Sequence, residues 1–222
     1  MDHGQGVQVP PRRNTHHMKA LVACESSGIV REALRAVGVD AWSCDLQTAD
    51  DGSPNHIQGD VRNVLDKGWS LMIAHPECTY LCSSGMHWTT RGLRDPQLTE
   101  DALEFVRLLM NAPIPRIAIE NPVGAISTRI RKPDQIIQPY QFGDNASKRT
   151  CLWLKGLPKL VPTALIPGRV VTVNGKQVER WANQTDSGQN KLGPSEERWK
   201  LRSKTYQGIA NAMAQQWIQT NL

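Results

Sequence analysis

No run of apolar residues in the 222-residue chain is long enough to cross a bilayer. The amino end, MDHGQGVQVPPRRNTHH, lacks the apolar centre of a secretory signal and is expected to be disordered over residues 1–17. Cysteine occurs five times, an odd number without regular spacing. That argues against a disulfide framework and for a reducing, cytoplasmic setting. Paired CxxC knuckles are missing, so zinc on His75, Cys78, Cys82 and His87 is a weak reading and no metal is expected. Internal repeats and low-complexity tracts are also absent. Acidic residues are scarce in one region only: residues 148–204 hold twelve Lys/Arg against four Asp/Glu, while the whole chain carries +5. Charge segregated in this way suits a polyanion, although a solvated basic face is an equal reading of charge alone.

What remains is the pattern of one α/β domain. Lys19 to Cys24 reads as a strand, Glu25 to Gly28 as a turn, and Ile29 to Val37 as a helix closed by Gly38. Val39 to Cys44 reads as a second strand ending in Asp45. A Gly/Pro/Asp loop spans Thr48 to Asn55, and Gly59, Asp60 and Val61 lead into a short helical segment ending at Asp66. Ser70 to Ala74 is the next strand. Thr79 to Arg94, rich in Ser, Gly and Thr, reads as a long active-site loop. Asp95 and Pro96 start a helix striped by Leu98, Ala102, Phe105, Val106 and Leu109. Ile117 to Ile119 reads as a strand closed by Glu120. Further strands are expected over Gln135 to Gln141 and Thr150 to Leu154. A type I′ hairpin around Asn174 and Gly175 is expected over Arg169 to Trp181, and a helix over Thr205 to Ile218. Strand, turn, helix and strand with an acid beyond the second strand is the layout of a doubly wound nucleotide-binding sheet.

The chemistry-bearing residues fall at strand ends, where open α/β sheets bind ligands. Cys78 follows Pro76 and Glu77 just past one strand, and Glu120, with Asn121 and Pro122 behind it, ends another. A cytosolic cysteine is more often an inert apolar filler. Its loop setting and the matching acid favour a nucleophile here, with the acid stabilising the charge that develops. Burial is expected to raise the pKa of Glu120, as suits a proton donor. The helix that follows Glu25, Ser26, Ser27 and Gly28 is expected to offer free N–H groups to a polar or anionic ligand. Lys148 and Arg149 can hold a carbonyl oxygen or a phosphate. Trp88, Trp153, Trp181 and Trp199 are read as core residues.

Taken in order, these motifs resemble those of DNA cytosine-5 methyltransferases, and in particular small, phage-type members. The resemblance spans most of residues 18–218. ACESSGIVREAL (23–34) is similar to the family's cofactor loop, retaining Gly28, with Cys24 in the aromatic position and Ser26 for the first glycine. Asp45 resembles the ribose-binding acid, and Gly59–Asp60 the element that lies against adenine. HPEC (75–78) resembles the catalytic Pro-Pro-Cys loop, and IENP (119–122) the Glu-Asn-Val motif. GDNASKRTCLWL (143–154) resembles the family's arginine-bearing strand, with Lys148 and Arg149 supplying the charge. YQGIANAMA (206–214) resembles the last cofactor motif, with Asn211 kept.

The resemblance implies a Rossmann-like sheet flanked by helices, using S-adenosyl-L-methionine held by Cys24, Glu25, Ser26, Gly28, Asp45, Asp60 and Asn211. It implies Cys78, Glu120, Lys148 and Arg149 as catalytic residues, with Pro76 and Asn121 at the substrate. The implied partner is double-stranded DNA with a flipped cytosine, in a bacterial or phage-infected cell. The expected organisation is a catalytic core over 18–154, a reduced recognition segment over 155–204, and a closing helix over 205–222. So small a segment implies a short or relaxed target sequence. RNA, single strands or a free cytosine nucleotide as substrate, or an inactive nucleic-acid-binding relative, are the alternatives. Oligomeric state is left open.

Overall fold

The structure is a computed structural model and describes residues 18–193, 195 and 198–218. The expectation for residues 1–17 lies outside them. Seven strands form one twisted sheet: β1 (Lys19–Ala23), β2 (Asp40–Asp45), β3 (His56–Gln58), β4 (Leu71–Ala74), β5 (Arg116–Pro122), β6 (Gln135–Ile137) and β7 (Thr150–Lys155). Their spatial order is β3-β2-β1-β4-β5-β7-β6. The first five pair in parallel, whereas β7 runs antiparallel to both β5 and β6. The doubly wound α/β reading therefore holds.

The apolar alternation of each strand explains the two layers that cover the sheet. Ala20, Val22, Leu71, Ile73 and Ala118 face one side, where Val30 and Leu34 of α1 (Ile29–Ala36) meet Ile209, Met213 and Trp217 of α6 (Gln207–Ile218). Leu21, Ala23, Met72, Ala74, Ile117 and Ile119 face the other side. There they pack against Leu103, Val106 and Leu109 of α3 (Gln97–Met110) and Ala125 and Ile126 of α4 (Ala125–Arg129). Strands buried on both faces read as continuous apolar runs, which is why β1, β4 and β5 were visible in the sequence.

The stretch expected to be one long loop, 79–94, is not. It contains α2 (Ser83–Thr90), because the Cys82 sulfur caps the helix by accepting from the Gly85 N–H at 3.4 Å. The strand expected over 135–141 stops at Ile137, since Pro139 begins a 3-10 turn. β3, α4 and α5 (Arg198–Ser203) were not anticipated. The hairpin is present as β8 (Arg169–Val173) and β9 (Lys176–Arg180), a sheet of its own. Asn174 and Gly175 both have positive φ, at 49° and 74°, as a type I′ turn requires. Trp181 stacks on Tyr140 at 4.0 Å and pins the hairpin to the core. Of the other tryptophans, Trp153 is buried and Trp88 is half exposed.

Candidate functional site

Parallel pairing of β4 with β5 ends at Ala74 against Ile119. The next residues, His75 and Glu120, are thus neighbours just beyond the paired region, at the carboxyl edge of the sheet. β5 itself runs on to Pro122 through its pairing with β7, so Glu120 lies inside a strand and does not close it. Because β7 is antiparallel, its beginning sits at that same edge. Lys148 and Arg149, which precede β7, arrive there for that reason.

Glu120 is 7% exposed. Its Oε2 lies 2.9 Å from His75 Nδ1. Burial pushes its pKa up, but the Lys148 charge and the His75 hydrogen bond outweigh burial and hold the carboxyl below its ordinary range. This reverses the expectation of a raised pKa, which counted burial and not Lys148 and His75. Arg149 is exposed, and its charge falls on Cys151. Only Lys148 of the basic pair acts on Glu120 and Cys78.

The loop bearing Cys78 is stapled to the segment bearing Glu120. Asn121 Nδ2 donates to the Pro76 carbonyl at 2.7 Å. The Ala125 N–H donates to Leu81 O at 2.7 Å and the Ser83 N–H to Val123 O at 3.2 Å. Gly124, bridged to Cys82, permits this approach, because a Cβ there would lie 2.8 Å from Cys82 Cα. Pro76 and Asn121 thus hold each other. Asn121 Oδ1 stays buried without a partner.

Sequence reasoning took Cys82 only as a weak zinc ligand. The Leu81 and Cys82 N–H groups both donate to Cys78 O, so the chain makes one helical turn that brings the two thiols together. The interaction of the two thiols, with Ser84 and the Gly85 N–H at Cys82, draws negative charge to Cys82. The same interaction, with burial and Glu120, pushes the Cys78 thiol up. Two cysteines four positions apart, just before a helix, are the signal that was available. Among the described residues no group of three or more His, Cys, Asp or Glu side chains is arranged to hold a metal. His75 turns to Glu120, and Cys82 into its helix cap.

Of the residues expected to hold the cofactor, Asp45 and Asp60 act on Cys24 at the end of β1, whose backbone has φ 59°. Burial, then Asp45, Cys44, Asp60 and Glu77, push its thiol up to about 12. An acidic surround of this kind fits a cationic, hydroxyl-rich ligand such as S-adenosylmethionine. Among the described residues the Asp45 side chain accepts only from the Gln47 N–H, through Oδ1 at 2.9 Å. Asp60 is clasped by Arg62.

The first-turn N–H groups of α1 are not free, contrary to expectation. Glu25 folds back to accept from Val30 N at 2.8 Å and Arg31 N at 3.3 Å, and Ser27 Oγ takes Ile29 N. Glu25 is therefore 94% buried as a cap. Gly28 precedes α1 at φ 74°, where a Cβ would also strike the guanidinium of buried Arg31. Arg31 bonds Ser43 Oγ at 2.7 Å and pairs with Asp51. Ser26 contributes its carbonyl to the Asp50 N–H at 2.9 Å. Asn211 lies on the exposed side of α6, bonded to Gln207, and is not drawn into the crevice.

The basic α5 lies between the two halves of the site. Asp50, in the loop after β2, pairs with Lys200 at 2.7 Å and Lys204 at 3.2 Å. On the other side Lys148 Nζ donates to Arg202 O at 3.0 Å. No helix among the described residues is long and apolar enough to cross a membrane.

No family model matches the chain, and no curated protein matches it by sequence. Among solved structures it is similar to the Entamoeba histolytica methyltransferase EhMeth, with 16% identity and a TM-score of 0.48. The likeness covers 68% of this chain and 58% of that one, so the chain spans under two thirds of that structure.

Proposed function

We propose that this protein transfers a methyl group from S-adenosylmethionine to carbon 5 of cytosine in DNA. One observation carries the reading. The Cys78 loop and the Glu120 strand form a single stapled unit at the carboxyl edge of the sheet, with Asp45, Asp60 and Glu77 acting together on Cys24 at the end of β1. A thiol, a carboxyl group and a lysine held together are what addition to an electron-poor pyrimidine requires.

Cys78, its proton passed to Cys82, attacks carbon 6 of a cytosine turned out of its stack. Glu120 receives the exocyclic amine and the N3 edge, and Lys148 offsets charge gathering on the ring carbonyl. The electron pair displaced to carbon 5 makes that carbon the acceptor. S-adenosylmethionine, when bound, supplies an electrophilic methyl carbon. Asp45 would hold its ribose, and Cys24 and Asp60 would lie beside it. The carbon-5 proton passes to solvent, Cys78 departs, and Cys82 returns to it the proton it took. The basic hairpin and α5 supply phosphate contacts, and the small segment favours a short or relaxed target.

The test is incubation with S-adenosylmethionine and duplex DNA containing 5-fluorocytosine. Fluorine cannot leave as the carbon-5 proton does, so the protein should stay attached through Cys78 and Cys78→Ser should not. No adduct with wild type sinks the reading. Adduct with single strands, RNA or the free nucleotide but not with duplex would move the substrate and keep the chemistry.

A further inference from the structure

Glu120 is ionised at rest, yet the proposed addition leaves a proton on N3 of the ring. The carboxylate has no proton to give, so the site needs another source. His75 lies against it, Nδ1 to Oε2 at 2.9 Å, with side-chain exposures of 9% and 8%. The contact follows from register: His75 is one residue past Ala74 and Glu120 one past Ile119, on adjacent parallel strands. The His75 N–H also donates to Ala23 O at 2.9 Å, which extends the strand and fixes the side chain's direction.

A second observation points the same way. His75 Nε2 is buried and has no hydrogen-bond partner. Leaving such an atom unsatisfied costs about 1–3 kcal/mol. A purely structural histidine would be expected to use both nitrogens. A ring that exchanges protons with a bound molecule or its water has reason to keep one open.

We infer that His75 is the positioning and proton-supplying partner of Glu120, so that the acid of this site is the His75–Glu120 pair. The inference rests on the cytosine reading above. Before the reaction the pair takes up one proton from solvent, at the open Nε2 of the imidazole. When the N3 edge of the pyrimidine meets the carboxyl, the Nδ1–H bond breaks and an O–H bond forms on Glu120. As the Cys78 sulfur bonds to carbon 6, that O–H breaks and N3–H forms, leaving a neutral imidazole. Departure of Cys78 reverses the sequence and returns the proton to the pair. Glu120 on β5 faces His75 directly and Lys148 before β7 acts on the same carboxyl, while Glu77 and Cys78 follow on the loop of His75 itself.

The experiment measures single-turnover adduct formation on 5-fluorocytosine duplex between pH 6 and 9, with DNA affinity and melting temperature taken alongside. His75→Ala should lower the adduct rate roughly 100-fold, the scale for losing an oriented group, with DNA affinity within twofold. His75→Asn keeps a donor for Glu120 but brings no titrating proton. It should restore the melting temperature, stay at least tenfold slow, and lose the fall in rate that wild type shows as pH rises. His75→Ala within threefold of wild type, or full rescue by His75→Asn with an unchanged pH profile, overturns the inference and leaves the cytosine reading standing. Absence of adduct with wild type overturns both.

Discussion

Gly124→Ala should uncouple the nucleophile from the acid without touching either. At φ 174° the residue is in extended backbone that alanine adopts freely, so the effect is steric alone. The new methyl would overlap Leu81 O and lie 2.8 Å from both Leu81 C and Cys82 Cα. These are backbone atoms that no rotamer change can move. Relief requires the Cys78 loop to lift, at the expense of the Ala125–Leu81 and Ser83–Val123 hydrogen bonds, each worth about 1 kcal/mol net. Overpacking of this kind costs about 1–3 kcal/mol, and lifting the loop caps it near 2–3. For a chain of this size the melting temperature should drop by roughly 4–12 °C. A shift of about 1 Å at Cys78 should slow adduct formation by about 100-fold. Gly193→Ala, where nothing lies within 4 Å, is the control and should change neither. Thermal melts followed by circular dichroism, with the fluorocytosine adduct assay, decide the matter. If Gly124→Ala melts within 1 °C of wild type and forms adduct at the same rate, the staple does not position Cys78.

Glu120→Gln should lower turnover far more than DNA affinity, because its contact strengthens along the reaction; equal losses in both would count against the role given to it. Cys82→Ala removes the partner that pushes the Cys78 thiol up, so Cys78 should ionise at lower pH. Iodoacetamide alkylation followed by peptide mass mapping should show its profile moving down, and a shift upward would contradict the shared-proton geometry. Cys24, pushed up to about 12, should stay unmodified throughout at neutral pH. Asp50 is held below its ordinary value of 3.8, first by Lys200 and then by Lys204. A depressed carboxyl stabilises the contact above that ordinary value and loses it as pH falls through the folded one. Proteolysis at α5 should therefore begin only below about pH 4, and Asp50→Asn should bring it to neutral pH.

The sheet was legible because its central strands are buried on both faces, which leaves apolar runs such as Leu71 to Ala74 bounded by polar turns. The positions of Cys78 and Glu120 followed from those strand ends. The side chains' partners did not. Glu25 caps α1 from three residues before its Gly28 cap position, a reach that no local spacing rule anticipates. α2 was hidden because SSGMHWTT has little amphipathic pattern and its cap is a sulfur. The pKa direction at Glu120 turned on Lys148, 28 residues away, and on His75, which the sequence offered only as a metal ligand. Register across β4 and β5 joins it to the acid, and register is a property of the folded sheet.

The Asp50–Lys200–Lys204 contact and the Lys148–Arg202 contact make α5 a crossbar over the open edge of the sheet, anchored on both banks. One anchor is purely ionic and the other ends on a backbone carbonyl, so salt weakens the two unequally. Raising ionic strength should swing the bar from the Asp50 side first. The Lys148 side, tied to a main-chain oxygen, should hold to higher salt, so α5 would come away from one bank before the other.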